Sequence, residues 1–168
     1  MKTKKISYFI LTILLILTIC VQSIMSNFLH YISIVPNLLL IFVVILGFIN
    51  DNKSALIIGL IAGILLDISS GSYLGLFSIT YMYIGYISSK LNRIFVRDNL
   101  TIMIMLISLG DLFYHLIVYT FSFLVRQRFD IPSYLIFIVL PEILITIIFG
   151  VILYKPLLIF NGKCKFSK

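Results

Sequence analysis

Six apolar runs fill this chain, at about residues 6–25, 32–49, 54–68, 73–90, 100–125 and 132–154, with only short breaks between them. A bilayer core takes about 20 residues of helix, and within it every backbone polar group must be satisfied inside the protein. Five runs reach or approach that length. The third, Ser54 to Ile68, spans only roughly 22 Å at about 1.5 Å per residue. It therefore has to borrow length from Asn50–Lys53, or the Asp67–Ser72 turn has to dip below the surface. Composition agrees with a membrane chain: 61% of residues are hydrophobic and 11% charged, against about half and a quarter in a soluble domain. The expected fold is all-α, a six-transmembrane-helix bundle with short loops, forming one integral membrane domain over residues 1–168. Such loops make consecutive helices antiparallel neighbours.

The net charge of +7 is not a nucleic-acid signal, because the basic residues lie between apolar runs and at the ends. With the N-terminus inside, the cytoplasmic segments hold every lysine and arginine except Arg126 and Arg128. The positive-inside rule then puts both termini in the cytoplasm. The polar turn after Asp67 and the segment Arg126–Asp130 face outward.

Lys2, Lys4 and Lys5 followed by an apolar core could pass for a secretory signal. Ile19 before Cys20 is too bulky for a lipoprotein cleavage site, and Val21-Gln22-Ser23 is only a weak signal-peptidase site, so an uncleaved first helix is expected. Cys20 and Cys164 make no disulfide framework. Pro36 and Pro132 are expected in the first turns of the second and sixth spans, where the missing N–H does no harm. Pro141, mid-span, should kink its helix. With no Trp, the interfacial aromatic belt falls to residues near span ends: Tyr8, Phe28, Tyr31, Tyr134 and Tyr154.

Polar groups inside apolar runs are functional candidates. Gly59, Gly63 and Asp67 are four apart and share one helix face. The two glycines let another helix backbone approach closely. Asp67 then reads either as an exposed residue after the helix or as a buried acceptor held by Ser69, Ser70 or turn N–H groups. The second is favoured, because Asp67 continues the glycine face. Gly71 and Gly75 form a second pair beyond the turn.

Asp111 and His115, also four apart, sit in the fifth run, and Glu142 follows Pro141 in the sixth. A lone charge at mid-membrane costs at least about 2.5–3.5 kcal/mol, so these groups should face the interior and can pair. Their readings are a polar lock between helices, a site for a partner's helix, or a proton relay or metal site. One His and two carboxylates could ligate zinc, but no tight ligand motif is present and no metal or cofactor is expected. His30, near the first outer loop, reads as a solvated interface residue. There is no HExxH, GxSxG or phosphate loop, so no enzyme is expected.

The run Gly59-x-x-x-Gly63-x-x-x-Asp67-x-x-x-Gly71-x-x-x-Gly75-Leu76, with Pro36-Asn37-Leu38 opening the second span, resembles the rod shape-determining protein MreD family. Asp111 falls where that family can carry an acidic residue; no family pattern aligns to Glu142, whose role rests on burial reasoning alone. The resemblance implies a non-enzymatic scaffold of the bacterial elongation machinery in the cytoplasmic membrane. Its implied partners are an MreC-like protein and, through it, MreB filaments and the peptidoglycan synthases RodA and penicillin-binding protein 2. It also implies a fold similar to the S-components of energy-coupling-factor transporters, and hence an alternative role in binding a small solute. On the scaffold reading, Gly59 and Gly63 set the approach of a partner's helix, and Asp67 closes the outer end of the groove.

Overall fold

The computed structural model describes residues 8–28, 35–70, 75–94, 100–126 and 134–160. The helices are α1 (Tyr8–Phe28), α2 (Leu38–Ile49), α3 (Asn52–Ser70), α4 (Leu76–Ile94), α5 (Leu100–Arg126) and α6 (Leu140–Phe160). A π-helical turn, Leu135–Val139, leads into α6. No strand occurs among the described residues. Asn52–Ser70, Leu100–Phe121 and Leu135–Leu157 are long and apolar enough to cross a membrane.

The third run resolves its shortfall by growing at both ends. It takes in Asn52, Lys53, Ser69 and Ser70 and becomes a helix of 19 residues, about 28 Å long.

The second run departs further from expectation. Its helix has 12 residues, all buried, and so reaches only about 18 Å. Pro36 is not in its first turn: Asn37 is the N-cap, and Pro36 precedes it, buried. Residues 32–34 lie outside the described residues. α2 touches each of the other five helices and forms the centre of the bundle. A helix apolar all round is suited to that position.

Around α2 the apolar surface is turned outward. Leu17, Ile68, Leu116 and Leu144 are all more than 60% exposed, and Phe137 is 74% exposed. A water-soluble bundle would bury such residues; here lipid is the matching solvent.

At Pro141 the structure shows a π-helical turn on the N-terminal side. Lacking an N–H, the proline cannot donate to the carbonyl four residues back. The turn before it widens to π geometry, with Leu140 N–H donating to the Leu135 carbonyl. Helix α6 then runs beyond the expected end at residue 154, through Pro156. Tyr154 is buried in the core at 4% exposure, not set in an interfacial belt. Tyr134 turns to a partner within the bundle, and Tyr31 and Pro132 lie outside the described residues.

Candidate functional site

Two polar joints hold the bundle, and the first is the glycine face. α3 and α4 pack along Gly59 and Gly63 so closely that an added Cβ would meet backbone. At Gly59 it would come within 2.9 Å of Met82 Cα; at Gly63, within 2.7 Å of the Ser78 nitrogen. The face is therefore filled by α4 of the same chain, where the sequence pattern had led one to expect a partner's helix.

Asp67 completes this joint. It is 3% exposed, and its carboxyl oxygens accept from the backbone N–H of Phe77 and of Ser78, each at 3.1 Å. The Ser78 hydroxyl donates to it as well. The buried-acceptor reading holds, but the donors belong to α4 rather than to the turn. The reason is that the first N–H groups of any helix lack an internal partner and favour an acidic group. α4 has no acidic residue in its first turn, so α3 supplies one. Gly75 enters α4 with φ +94°, a conformation that favours glycine, and its carbonyl accepts the first bond, from Ile79 at 3.1 Å. Gly71 and His30 lie outside the described residues.

The second joint is the N-terminus of α2. This helix starts inside the bundle, so its free N–H groups need partners there. Leu38 N–H donates to the Pro36 carbonyl at 2.9 Å. Leu39 N–H donates to Gln22 Oε1 of α1 at 3.2 Å. Leu40 N–H donates to Asn37 Oδ1 at 3.2 Å, and Ile41 N–H to the Asn37 carbonyl at 3.2 Å. Asn37 does more than cap. Its Oδ1 also accepts from the Tyr81 hydroxyl at 2.9 Å, and its Nδ2 donates to Asp111 Oδ1 at 3.4 Å. Its own N–H donates to Thr146 Oγ1 at 3.2 Å. One buried asparagine thus ties α2 to α4, α5 and α6.

Asp111 and His115 share a face of α5, as their spacing requires, yet their hydrogen bonds go to different partners. Asp111, fully buried, faces the positive end of the α2 dipole, where an acidic group is favoured. His115 Nδ1 lies 3.1 Å from the Tyr134 hydroxyl. Its Nε2 lies 3.3 Å from Glu142 Oε2, within ion-pair distance. The three residues come together, with one ligand atom from each within 4.8 Å of the others. Tyr114 packs edge-on against both His115 and Tyr81 and stacks on Phe77, closing the space between the two joints.

Gln22, Tyr81 and Thr146 were not legible as site residues. Only Asn37 carried a local signal, a capping residue directly before an apolar run. The other three are polar groups scattered on different runs, and nothing along the chain says that they converge.

A groove of about 320 Å³ opens between α1, α3 and α6, lined by Ile19, Gln22, Ser23, Leu66, Ser69 and Glu142 among others. It lies at the end of α3 that carries Asp67. A second, apolar cavity of about 430 Å³ lies between α5 and the π turn, with His115, Tyr119 and Tyr134 in its wall.

A family model described as rod shape-determining protein MreD matches residues 2–163, nearly the whole chain. No curated protein and no solved structure matches.

Proposed function

This chain belongs to the MreD family of rod shape-determining proteins, and from that premise we propose that it is a non-enzymatic scaffold. It sits in the bacterial cytoplasmic membrane with six spans and both termini inside. It binds an MreC-like bitopic partner and, through it, MreB and the sidewall peptidoglycan synthases RodA and penicillin-binding protein 2. The observation that carries this reading is the family match over residues 2–163. The polar groups support it, because most are consumed in joining helices to one another rather than exposed in a reactive cleft. The orientation is tested by a reporter, active only outside the membrane, fused at Lys168: it should stay silent.

Since α4 fills the glycine face, the partner needs another seat. We assign it to the groove beside Ser69, which combines apolar walls with Gln22, Ser23 and Ser69. In lipid, helix association relies on packing and on such polar groups, because hydrocarbon gives no hydrophobic drive. Ser69 is exposed, so Ser69→Trp should leave folding intact. It is expected to reduce co-purification of the MreC-like partner by about tenfold or more, the equivalent of roughly 1.4 kcal/mol. Capture at the wild-type level would exclude the groove.

The cavity of about 430 Å³ favours one second reading, since small-molecule pockets run from about 300 to 1,000 Å³. On that reading the chain is an S-component-like solute binder, and vitamin-sized ligands should raise its unfolding midpoint. A scaffold shows no such shift.

A further inference from the structure

We propose that Asp111, His115 and Glu142 form a binding site for a divalent transition-metal ion, with Zn²⁺ as the first candidate. This does not rest on the scaffold reading. No ligand motif is visible along the chain, because the site is split between two helices and only the Asp-x-x-x-His half lies on one.

The argument lies in which atoms are held and which are left. Asp111 Oδ1 accepts from Asn37 Nδ2, while Oδ2 is buried with no hydrogen bond. His115 Nδ1 is held by the Tyr134 hydroxyl, while Nε2 faces Glu142 Oε2 at 3.3 Å. Asp111 Oδ2, His115 Nε2 and a Glu142 oxygen are the donors that a metal would take, and one atom from each residue lies within 4.8 Å of the others. Ligands about 2.0–2.2 Å from a tetrahedral ion stand roughly 3.4 Å apart. The His115–Glu142 pair already has that spacing, at 3.3 Å. Asp111 has an oxygen within 4.8 Å of both, and its side chain would move inward to complete the set.

Asn37 and Tyr134 match the outer shell of metal sites, where a partner on the second imidazole nitrogen or carboxylate oxygen fixes the ligand's orientation. When Nδ1–H donates to Tyr134, the lone pair is left on Nε2. Charge favours the same conclusion. Two ionised carboxylates in an apolar interior are costly unless paired, and a divalent cation neutralises both. A simple polar lock would also engage Asp111 Oδ2, which is buried with no hydrogen bond. An imidazole among the donors disfavours Mg²⁺ and Ca²⁺, which prefer all-oxygen sets. Three protein ligands leave a fourth position for water, and the groove beside Glu142 supplies an entry path.

The test uses the full chain, without a polyhistidine tag, stripped with chelator in detergent and titrated with Co²⁺ as an optical probe. One Co²⁺ per chain should bind with the visible bands of low-coordinate nitrogen–oxygen ligation, and Zn²⁺ should displace it. Zn²⁺ should also raise the unfolding midpoint of the stripped protein. Glu142 is partly exposed at 17%, so Glu142→Gln keeps the fold and should still lower affinity by more than about 100-fold. Tyr134→Phe, a positioning change, should lower it by about 10-fold. The proposal is overturned if no saturable Co²⁺ binding appears, if Zn²⁺ leaves the midpoint unchanged, or if Glu142→Gln binds as tightly as wild type.

Discussion

Gly63→Leu is expected to stop the folded protein from accumulating at all, rather than merely to weaken a partner's grip. A Cβ at this position would stand 2.5 Å from the Phe77 carbonyl oxygen and 2.7 Å from the Ser78 nitrogen. Both are backbone atoms and cannot rotate away, so α4 itself would have to move. That movement would pull Phe77 and Ser78 off Asp67, coupling a packing defect to the loss of a helix cap. Gly63→Ala alone should cost about 1–3 kcal/mol, the usual range for overpacking, and Leu considerably more. Asp67 gives the companion series. Asp67→Asn keeps one acceptor oxygen and should cost about 1–2 kcal/mol. Asp67→Leu leaves two buried N–H groups unpaired, at about 1–3 kcal/mol each. Recovery of monodisperse protein and its unfolding midpoint measure all three. If Gly63→Leu were recovered like wild type and lost only its partner, the glycine face would be an external groove and the α3–α4 joint would be wrong.

Asn37→Leu should be nearly as damaging, though nothing about its size is wrong. It deprives Leu40 N–H, the Tyr81 hydroxyl and Asp111 Oδ1 of their partner in one step. Each buried orphan costs about 1–3 kcal/mol, and the terms are not additive within one network. A loss of roughly 3–5 kcal/mol is a fair expectation for breaking such a hub. Asn37→Asp separates a hub from a simple cap. At an ordinary N-cap, Asp replaces Asn with little effect. Here the new carboxyl would still accept from Leu40 and Tyr81 but would face Asp111 with no donor. Asn37→Asp should therefore be nearly as unstable as Asn37→Leu, read by the same midpoint. A wild-type midpoint would show that the contact with Asp111 contributes little.

These two positions show where reading along the chain succeeds and where it stops. Gly59, Gly63 and Asp67 were identifiable because helical periodicity alone puts them on one face. What packs on that face was not, because the α4 backbone is as featureless in sequence as a visiting helix would be. Asp111, His115 and Glu142 were found because charge inside an apolar run is costly wherever it lies. Their meeting depends on how α5 and α6 are set against each other, which a one-dimensional pattern does not encode.

From its residues alone the chain was bound to be helical and apolar on the outside, since long hydrocarbon runs leave the backbone no other way to satisfy its polar groups. Periodicity likewise committed certain small and acidic residues to common faces. Only the assembled bundle decided that the second run shrinks to a 12-residue central helix, and that Asn37 caps it deep within the protein. The same packing gave Asp67 to α4 and brought one imidazole and two carboxyls together across a helix boundary. Those outcomes depend on distances between residues far apart in the chain, and such distances exist only once the helices have packed.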